Sequence, residues 1–182
     1  MTKPRAYLVQ ARADFDAYLA AYDVGEAGVG EHHRLQFLQM ALEKVCKSFL
    51  YEAAPTAQFP HNVVTRGLNA MKRHDVAEQV GLPLRNLVRQ LDGLKSVYLM
   101  IAAASPSIGF DGSEGRTLTR EESERTQNVE YPWQDDLDDP SSWIAPAEHD
   151  FRIVYVLRRQ RDGALAVRLL GKVVAIADRV LS

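Results

Sequence analysis

The chain has 182 residues, of which 46% are hydrophobic and 25% charged, an ordinary composition for one soluble domain with a substantial core. A single cysteine excludes an internal disulfide, and no apolar run approaches the roughly 18 residues expected of a membrane span. The opening residues also lack the uninterrupted apolar core of a signal peptide. We therefore expect a cytoplasmic protein without membrane attachment.

The net charge of −2 conceals an uneven distribution of charge along the chain. Residues 111–150 carry 12 acidic and three basic side chains, a net charge of −9. The rest of the chain carries 19 basic and 12 acidic side chains, a net charge of +7. This division predicts an acidic segment beside a moderately basic body.

The first half of the chain is predicted to be helical. Apolar residues recur there at spacings of three and four, as they do on one face of a helix. Asn62 is the expected N-cap of the third helix, and Gly81 is expected to end that helix. The spacing predicts helices over residues 4–23, 30–53, 62–80 and 83–101.

In the second half, helical spacing fails over residues 105–143, which we interpret as an acidic, loop-rich insertion within a single domain of residues 1–182. Residues 148–160 are predicted to be helical, although their β-branched residues would also suit a strand. Asp162 and Gly163 mark a break before a last helix over 164–181. The predicted fold class is all-α, an up-and-down bundle of about five or six helices with a long acidic loop insertion.

The second helix contains the only cysteine of the chain, Cys46, and two of its histidines. At about 100° per residue, Cys46 falls within a single apolar stripe. We therefore predict an inert, buried thiol rather than a reactive one. The stripe is formed by Leu35, Leu38, Leu42, Val45 and Phe49.

His32 and His33 are adjacent, and adjacent helical side chains are expected to diverge, so we predict no metal site there. Phe37 and Met40 project from the opposite face of the same helix. Two apolar faces indicate either a helix packed on both sides or a helix that also contacts a partner subunit.

Three segments resemble a known family. Residues 36–50, QFLQMALEKVCKSFL, are similar to the second helix of HEPN (higher eukaryotes and prokaryotes nucleotide-binding) domains. Residues 61–71, HNVVTRGLNAM, are similar to the segment that follows it in the family. Residues 128–133, NVEYPW, resemble the segment that precedes the last helices of these domains. The resemblance implies an α-helical bundle, homodimerisation, and a role in RNA cleavage, in nucleotide handling, or in toxin–antitoxin or phage-defence systems.

Ribonucleases of this family carry an arginine and a histidine separated by about four to six residues. The nearest candidates here are Arg66 and His74, which have seven residues between them, with His61 as a further candidate. Because this spacing departs from the family pattern, we do not expect ribonuclease activity. The sequence also lacks nucleophile-elbow and phosphate-loop motifs, and no cofactor is expected.

The last part of the chain offers the best candidates for phosphate binding. Guanidinium and ammonium groups gather there on one flank of the last helix and just upstream of it. A solvated helix face would have the same pattern, and no aromatic residues are interleaved with these cations. The candidates are Arg158, Arg159, Arg161, Arg168, Lys172 and Arg179.

The leading hypothesis for function is a non-catalytic, HEPN-like interaction module that binds RNA or a nucleotide. The alternatives are a diverged HEPN ribonuclease using His74 or His61, and a purely structural protein–protein adaptor. We expect a homodimer and a partner protein encoded nearby.

Overall fold

The computed structural model describes residues 1–23, 30–57, 59, 63–103, 133–134, 143–144, 157 and 161–180. Within these ranges the protein is an all-α helical bundle, so the predicted fold class is confirmed. Helices account for nearly all of the regular structure described. They are α1 (Lys3–Asp23), α2 (Glu31–Ala53), α3 (Val64–Ala70), α4 (His74–Val80), α5 (Leu84–Ala103) and α6 (Arg161–Val180).

Two short strands accompany the helices. Strand β1 (Trp133–Gln134) pairs antiparallel with β2 (Trp143–Ile144), with Trp133 opposite Ile144. The sequence predicted loop over residues 105–143 and missed this pairing, because two residues are too few for a detectable alternation. The remainder of that predicted insertion lies outside the described residues. The predicted helix over residues 148–160 also lies outside them, apart from Leu157, which is helical.

Helices α1 and α2 pack against each other in antiparallel directions. Tyr7 near the start of α1 stacks on Tyr51 near the end of α2, with ring centroids 5.1 Å apart. About two turns further along α1, Asp14 accepts a hydrogen bond, 2.6 Å long, from Lys44, which lies earlier in α2. Because the later contact along α1 is made by the earlier residue of α2, the two helices run antiparallel.

Helix α2 is packed on several sides because α1, α3 and α5 all contact it. The predicted stripe is confirmed: Leu38, Leu42 and Val45 are completely buried. Phe37 on the other face also packs against the core of the same chain, and Met40 is 37% exposed. The second apolar face of α2 is therefore used, at least at Phe37, within the chain itself.

The third predicted helix is in fact two helices, α3 and α4. The chain leaves α3 at a turn centred on Met71 and adopts an extended backbone at Arg73, with φ −129° and ψ 155°. Arg73 then donates two hydrogen bonds to Asp75, at 2.7 and 3.1 Å, in the first turn of α4. The N-cap of α3 is Val63, with no side-chain cap, whereas we had predicted Asn62.

Glycine has the predicted role at the end of α4 and an unpredicted position in α6. Gly81 adopts the left-handed conformation, with φ 70°, and ends α4 as expected. Asp162 and Gly163 lie in the first turn of α6 rather than in a break before it. Further along α6, Gly171 lies against the ring of Phe15 and allows α6 to approach α1 closely.

Candidate functional site

Four of the six predicted phosphate-binding cations belong to α6. Arg168 and Lys172, one turn apart, are both exposed. The Lys172 ammonium donates a long hydrogen bond, 3.5 Å, to the carbonyl of Val80 at the end of α4, where the helix dipole favours a cation. Arg158 and Arg159 lie outside the described residues, as do the side chains of Arg161 and Arg179.

The predicted catalytic candidates Arg66 and His74 lie on different helices. The guanidinium of Arg66 lies over the ring of Phe59, 5.3 Å from its centroid. His74 is exposed at the first residue of α4. The ring contact of Arg66 is therefore with Phe59, in the segment between α2 and α3. His61, the third candidate, lies outside the described residues.

Two cations between residues 63 and 103 are neutralised by neighbouring acids. The Lys72 ammonium lies 2.8 Å from the Asp92 carboxylate, and Arg73 pairs with Asp75. Burial acts to raise the pKa of Asp75, but the hydrogen bonds and charge of Arg73 lower it below its ordinary value. These pairs leave Lys72 and Arg73 less free to bind an external anion.

Other arginines in the same segment have no such partner among the described residues. Arg85 and Arg89 are exposed, and their spacing of four places them on one face of α5. Among the described residues, no acidic side chain pairs with Arg66, Arg85 or Arg89. Residues 63–103 carry six basic and three acidic side chains, a net charge of +3.

A cluster of aromatic rings and cations lies where the start of α1, the end of α2 and the start of α3 meet. Tyr51 stacks on Tyr7 and meets Phe59 edge-on, with the centroids of Tyr51 and Phe59 4.9 Å apart. The Lys3 ammonium lies 3.7 Å from the Tyr51 centroid. We call this set the aromatic–cation cluster; its members are Tyr7, Tyr51, Phe59, Lys3, Lys47 and Arg66.

The electrostatics of this cluster are dominated by its cations. Burial acts to raise the pKa of Tyr51, but the hydrogen bond and positive charge of Lys3, together with hydrogen bonds to the Phe59 backbone and the Tyr7 side chain, lower the pKa below the ordinary value. Lys47, over the ring of Tyr7, is bound by Glu43 at 2.6 Å. Lys3 and Arg66 have no acidic partner within the ranges described, so the cluster presents net positive charge.

The sequence analysis did not find this cluster. Tyr7 was assigned to the apolar pattern of the first helix, and aromatic residues were not found among the cations near the end of the chain. The only signal in the sequence is that Tyr51 and Phe59 flank Pro55, which ends α2 and turns the chain back. That signal is too common to identify a site.

The interior residues singled out by the sequence are structural. Cys46 is fully buried, and burial, followed by the charge of Glu43, raises the pKa of its thiol far above the ordinary value. Burial and the same carboxylate also raise the pKa of Tyr98. A protonated, inaccessible thiol is not a nucleophile, in agreement with the predicted role of Cys46 in packing.

The two adjacent histidines lie closer together than we predicted. The ring centroids of His32 and His33 are 4.0 Å apart, with the ring planes tilted by 50°. Burial and the neighbouring His33 lower the pKa of His32. The expectation that these rings diverge was therefore wrong. Within the part of the chain that the structure describes, however, no three His, Cys, Asp or Glu side chains are placed to hold a metal ion.

Comparisons with known proteins leave the assignment of function to the structure itself. The sequence matches no family model, and no curated protein or solved structure is similar to it. None of the helices in the described ranges is both long enough and apolar enough to cross a membrane.

Proposed function

We propose that this chain is a non-catalytic helical interaction module that binds RNA or nucleotide phosphates. The observation that carries the proposal is the presence of exposed arginines that have no acidic partner among the described residues, in a segment of net charge +3. Arginine offers planar, paired donors that match phosphate oxygens. The resemblance to HEPN domains, and the toxin–antitoxin or defence setting it implies, form part of the same proposal.

The positions of the catalytic candidates support the non-catalytic part of the proposal. Cleavage of RNA through its own 2′-hydroxyl requires a base near neutral pKa and a cation that reach one phosphate together. Arg66 is held over Phe59, and His74 begins a separate helix after the extended Arg73. Arg66 and His74 thus lie on separate helices rather than on the single helix that the sequence predicts.

The proposal is tested by measuring RNA binding as a function of salt. Fluorescence anisotropy of a labelled ten-nucleotide RNA should show affinity that falls with salt, by a log–log slope of about −0.7 for each phosphate contacted. The double substitution of Arg85→Gln and Arg89→Gln should weaken binding and make this slope shallower by up to about 1.4.

The matched control removes two positive charges from the same segment of the chain. Lys72→Gln with Arg73→Gln eliminates cations that are already bound to Asp92 and Asp75. We expect this control to leave the salt slope nearly unchanged. An equal loss of slope in both double variants, or no salt-dependent binding by the wild type, would contradict the proposal.

The same samples test catalysis. After incubation with the protein, the RNA should remain intact on a denaturing gel. Cleavage that is abolished by His74→Ala would replace the non-catalytic assignment with the diverged ribonuclease. Absence of any RNA or nucleotide binding, together with capture of a protein partner, would favour the structural adaptor.

A further inference from the structure

The aromatic–cation cluster has features that packing alone does not require. Tyr7 and Phe59 remain half-buried rather than enclosed, and the side chains that lie over the rings are cationic rather than apolar. Tyr51 connects the two, with centroid distances of 5.1 and 4.9 Å to its aromatic neighbours. The result is a continuous series of rings that reaches the surface at both ends.

The charge of the cluster indicates the chemistry of its ligand. Three cations contact the rings, and among the described residues only Lys47 has an acidic partner, Glu43. Lys3 and Arg66 are exposed; Lys3 lies over the central ring, Tyr51, and Arg66 lies over Phe59 at one end of the series. A ligand that suits both features has a flat, aromatic part to stack on a ring and a neighbouring anionic group to meet an ammonium or guanidinium.

We infer that the aromatic–cation cluster binds an unpaired nucleobase together with an adjacent phosphate, as found in single-stranded RNA. The base stacks against the half-buried rings at the surface, and Lys3 or Arg66 contacts the phosphate. Every base has a π-face, so such a site tolerates many sequences but requires a base free of its complementary strand. This inference rests on the proposed function and adds to it a preference for single-stranded over duplex RNA.

The arrangement of the elements explains why this site is close to the RNA-binding segment proposed above. Arg66 belongs both to the aromatic–cation cluster and to the positively charged segment of residues 63–103. A strand whose base reaches Phe59 therefore has its backbone beside the first cation of that segment. Base stacking and phosphate contacts would then reinforce each other along one strand.

The decisive variant is Phe59→Leu, which retains an apolar side chain but removes the aromatic face. We expect it to weaken binding of a labelled ten-nucleotide oligoadenylate by about tenfold, the usual effect of losing one stacked base. Binding of a fully paired RNA duplex of the same charge should be unchanged. Phe59→Trp, in contrast to Phe59→Leu, should bind oligoadenylate at least as tightly as the wild type, because the indole provides a larger stacking surface.

A second set of measurements separates the source of the base and the role of charge. Adenosine monophosphate, titrated as a competitor, distinguishes a site for free nucleotides from one that needs a longer strand. Arg66→Gln should weaken both oligoadenylate and duplex binding, because it removes a phosphate contact rather than a stacking surface. Thermal unfolding followed by circular dichroism confirms that each variant is folded.

The possible results distinguish this inference from the proposed function. If the wild type binds RNA with the expected salt dependence but Phe59→Leu binds oligoadenylate as tightly, the inference is wrong and the proposed function stands. Equal weakening of oligoadenylate and duplex binding by Phe59→Leu would also overturn it, because stacking on an unpaired base predicts selectivity. If the wild type binds neither RNA nor nucleotide, both fail.

Discussion

The close contact between α3 and α2 at Gly67 permits a sharp test of the packing. A Cβ atom added at Gly67 would collide with the Cβ of Cys46. It would also lie 2.7 Å from the Cα and 2.9 Å from the Sγ of Cys46. Non-bonded carbon atoms in folded proteins do not lie this close together, so one of the two helices would have to shift. The Cα of Cys46 belongs to the backbone of a buried helix and cannot rotate away, so Gly67→Ala must push α3 from α2.

The expected magnitude follows from two opposing effects. Alanine is favoured over glycine within a helix by about 1 kcal/mol. Overpacking a closely packed core costs about 1–3 kcal/mol, and here the neighbours Val64 and Leu68, both buried, would lose contacts as α3 moves. Because the clash involves backbone that cannot rotate away, we take the upper end of the overpacking cost, about 3 kcal/mol, and expect Gly67→Ala to lower the free energy of unfolding by about 2 kcal/mol.

Gly93 in α5 provides the matched control. A Cβ atom added there has no heavy atom within 4 Å, so Gly93→Ala brings the helical preference of alanine without a clash. We expect a gain of roughly 0.5–1 kcal/mol in the free energy of unfolding. The same chemical change should thus have opposite signs at the two positions.

Urea unfolding followed by far-ultraviolet circular dichroism measures both effects. With a slope of about 2 kcal/mol per molar urea, Gly67→Ala should lower the midpoint by roughly 1 M, and Gly93→Ala should raise it by a few tenths of that value. If Gly67→Ala proved as stable as the wild type, α3 would not approach α2 as described. Such a result would refute the reasoning about the Gly67–Cys46 contact.

Three further predictions follow from the interior and the surface of the bundle. Burial keeps the Cys46 thiol protonated in the folded protein, whereas the thiol of the unfolded chain ionises above its ordinary pKa of 9.0. The contribution of this group to stability should therefore be full below pH 9 and fall as pH rises, by about 1.4 kcal/mol per pH unit. Cys46→Ala should flatten the profile of urea midpoint against pH over that range, and an unchanged profile would contradict the prediction. Asp14→Asn should lower the free energy of unfolding by about 1 kcal/mol, because it breaks a largely buried ion pair with Lys44. Asp92→Asn breaks an exposed ion pair and should change the free energy of unfolding by less than about 0.5 kcal/mol. Equal urea midpoints for the two variants would show that burial does not distinguish the pairs. We also propose the homodimer that the sequence analysis expects: light scattering at high micromolar concentration should give the mass of two chains, and a strict monomer would contradict it.

Several candidates for function could be found in the sequence because they depend on residue type and exposure alone. Arg168 and Lys172 were placed on an exposed face by counting from the apolar stripe of the last helix, and both are exposed. Arg66 was selected for its spacing from His74, but its contact with Phe59 could not be foreseen. Which cations are neutralised also depends on partners such as Asp92, which pairs with Lys72 from 20 residues away.

The sequence by itself determined the class of the fold and the inward faces of the helices. Leu38, Leu42 and Val45 recur with the period of a helix, and a side chain's direction along a helix depends only on its position. Gly81 likewise marks the end of α4 because a left-handed residue is locally favourable only for glycine and a few others. These are properties of short segments, and short segments are what a sequence displays directly.

Tertiary structure alone decided the break after Met71 and the meeting of Tyr7, Tyr51 and Phe59. The spacing of apolar residues continues through residues 62–80, yet the chain changes direction there because Met71 and Val76 are both buried in a core formed by other helices. The aromatic–cation cluster joins residues more than 40 positions apart, and it exists because α1 returns antiparallel along α2. No local pattern encodes such a contact, since its free energy arises only when the helices are already packed.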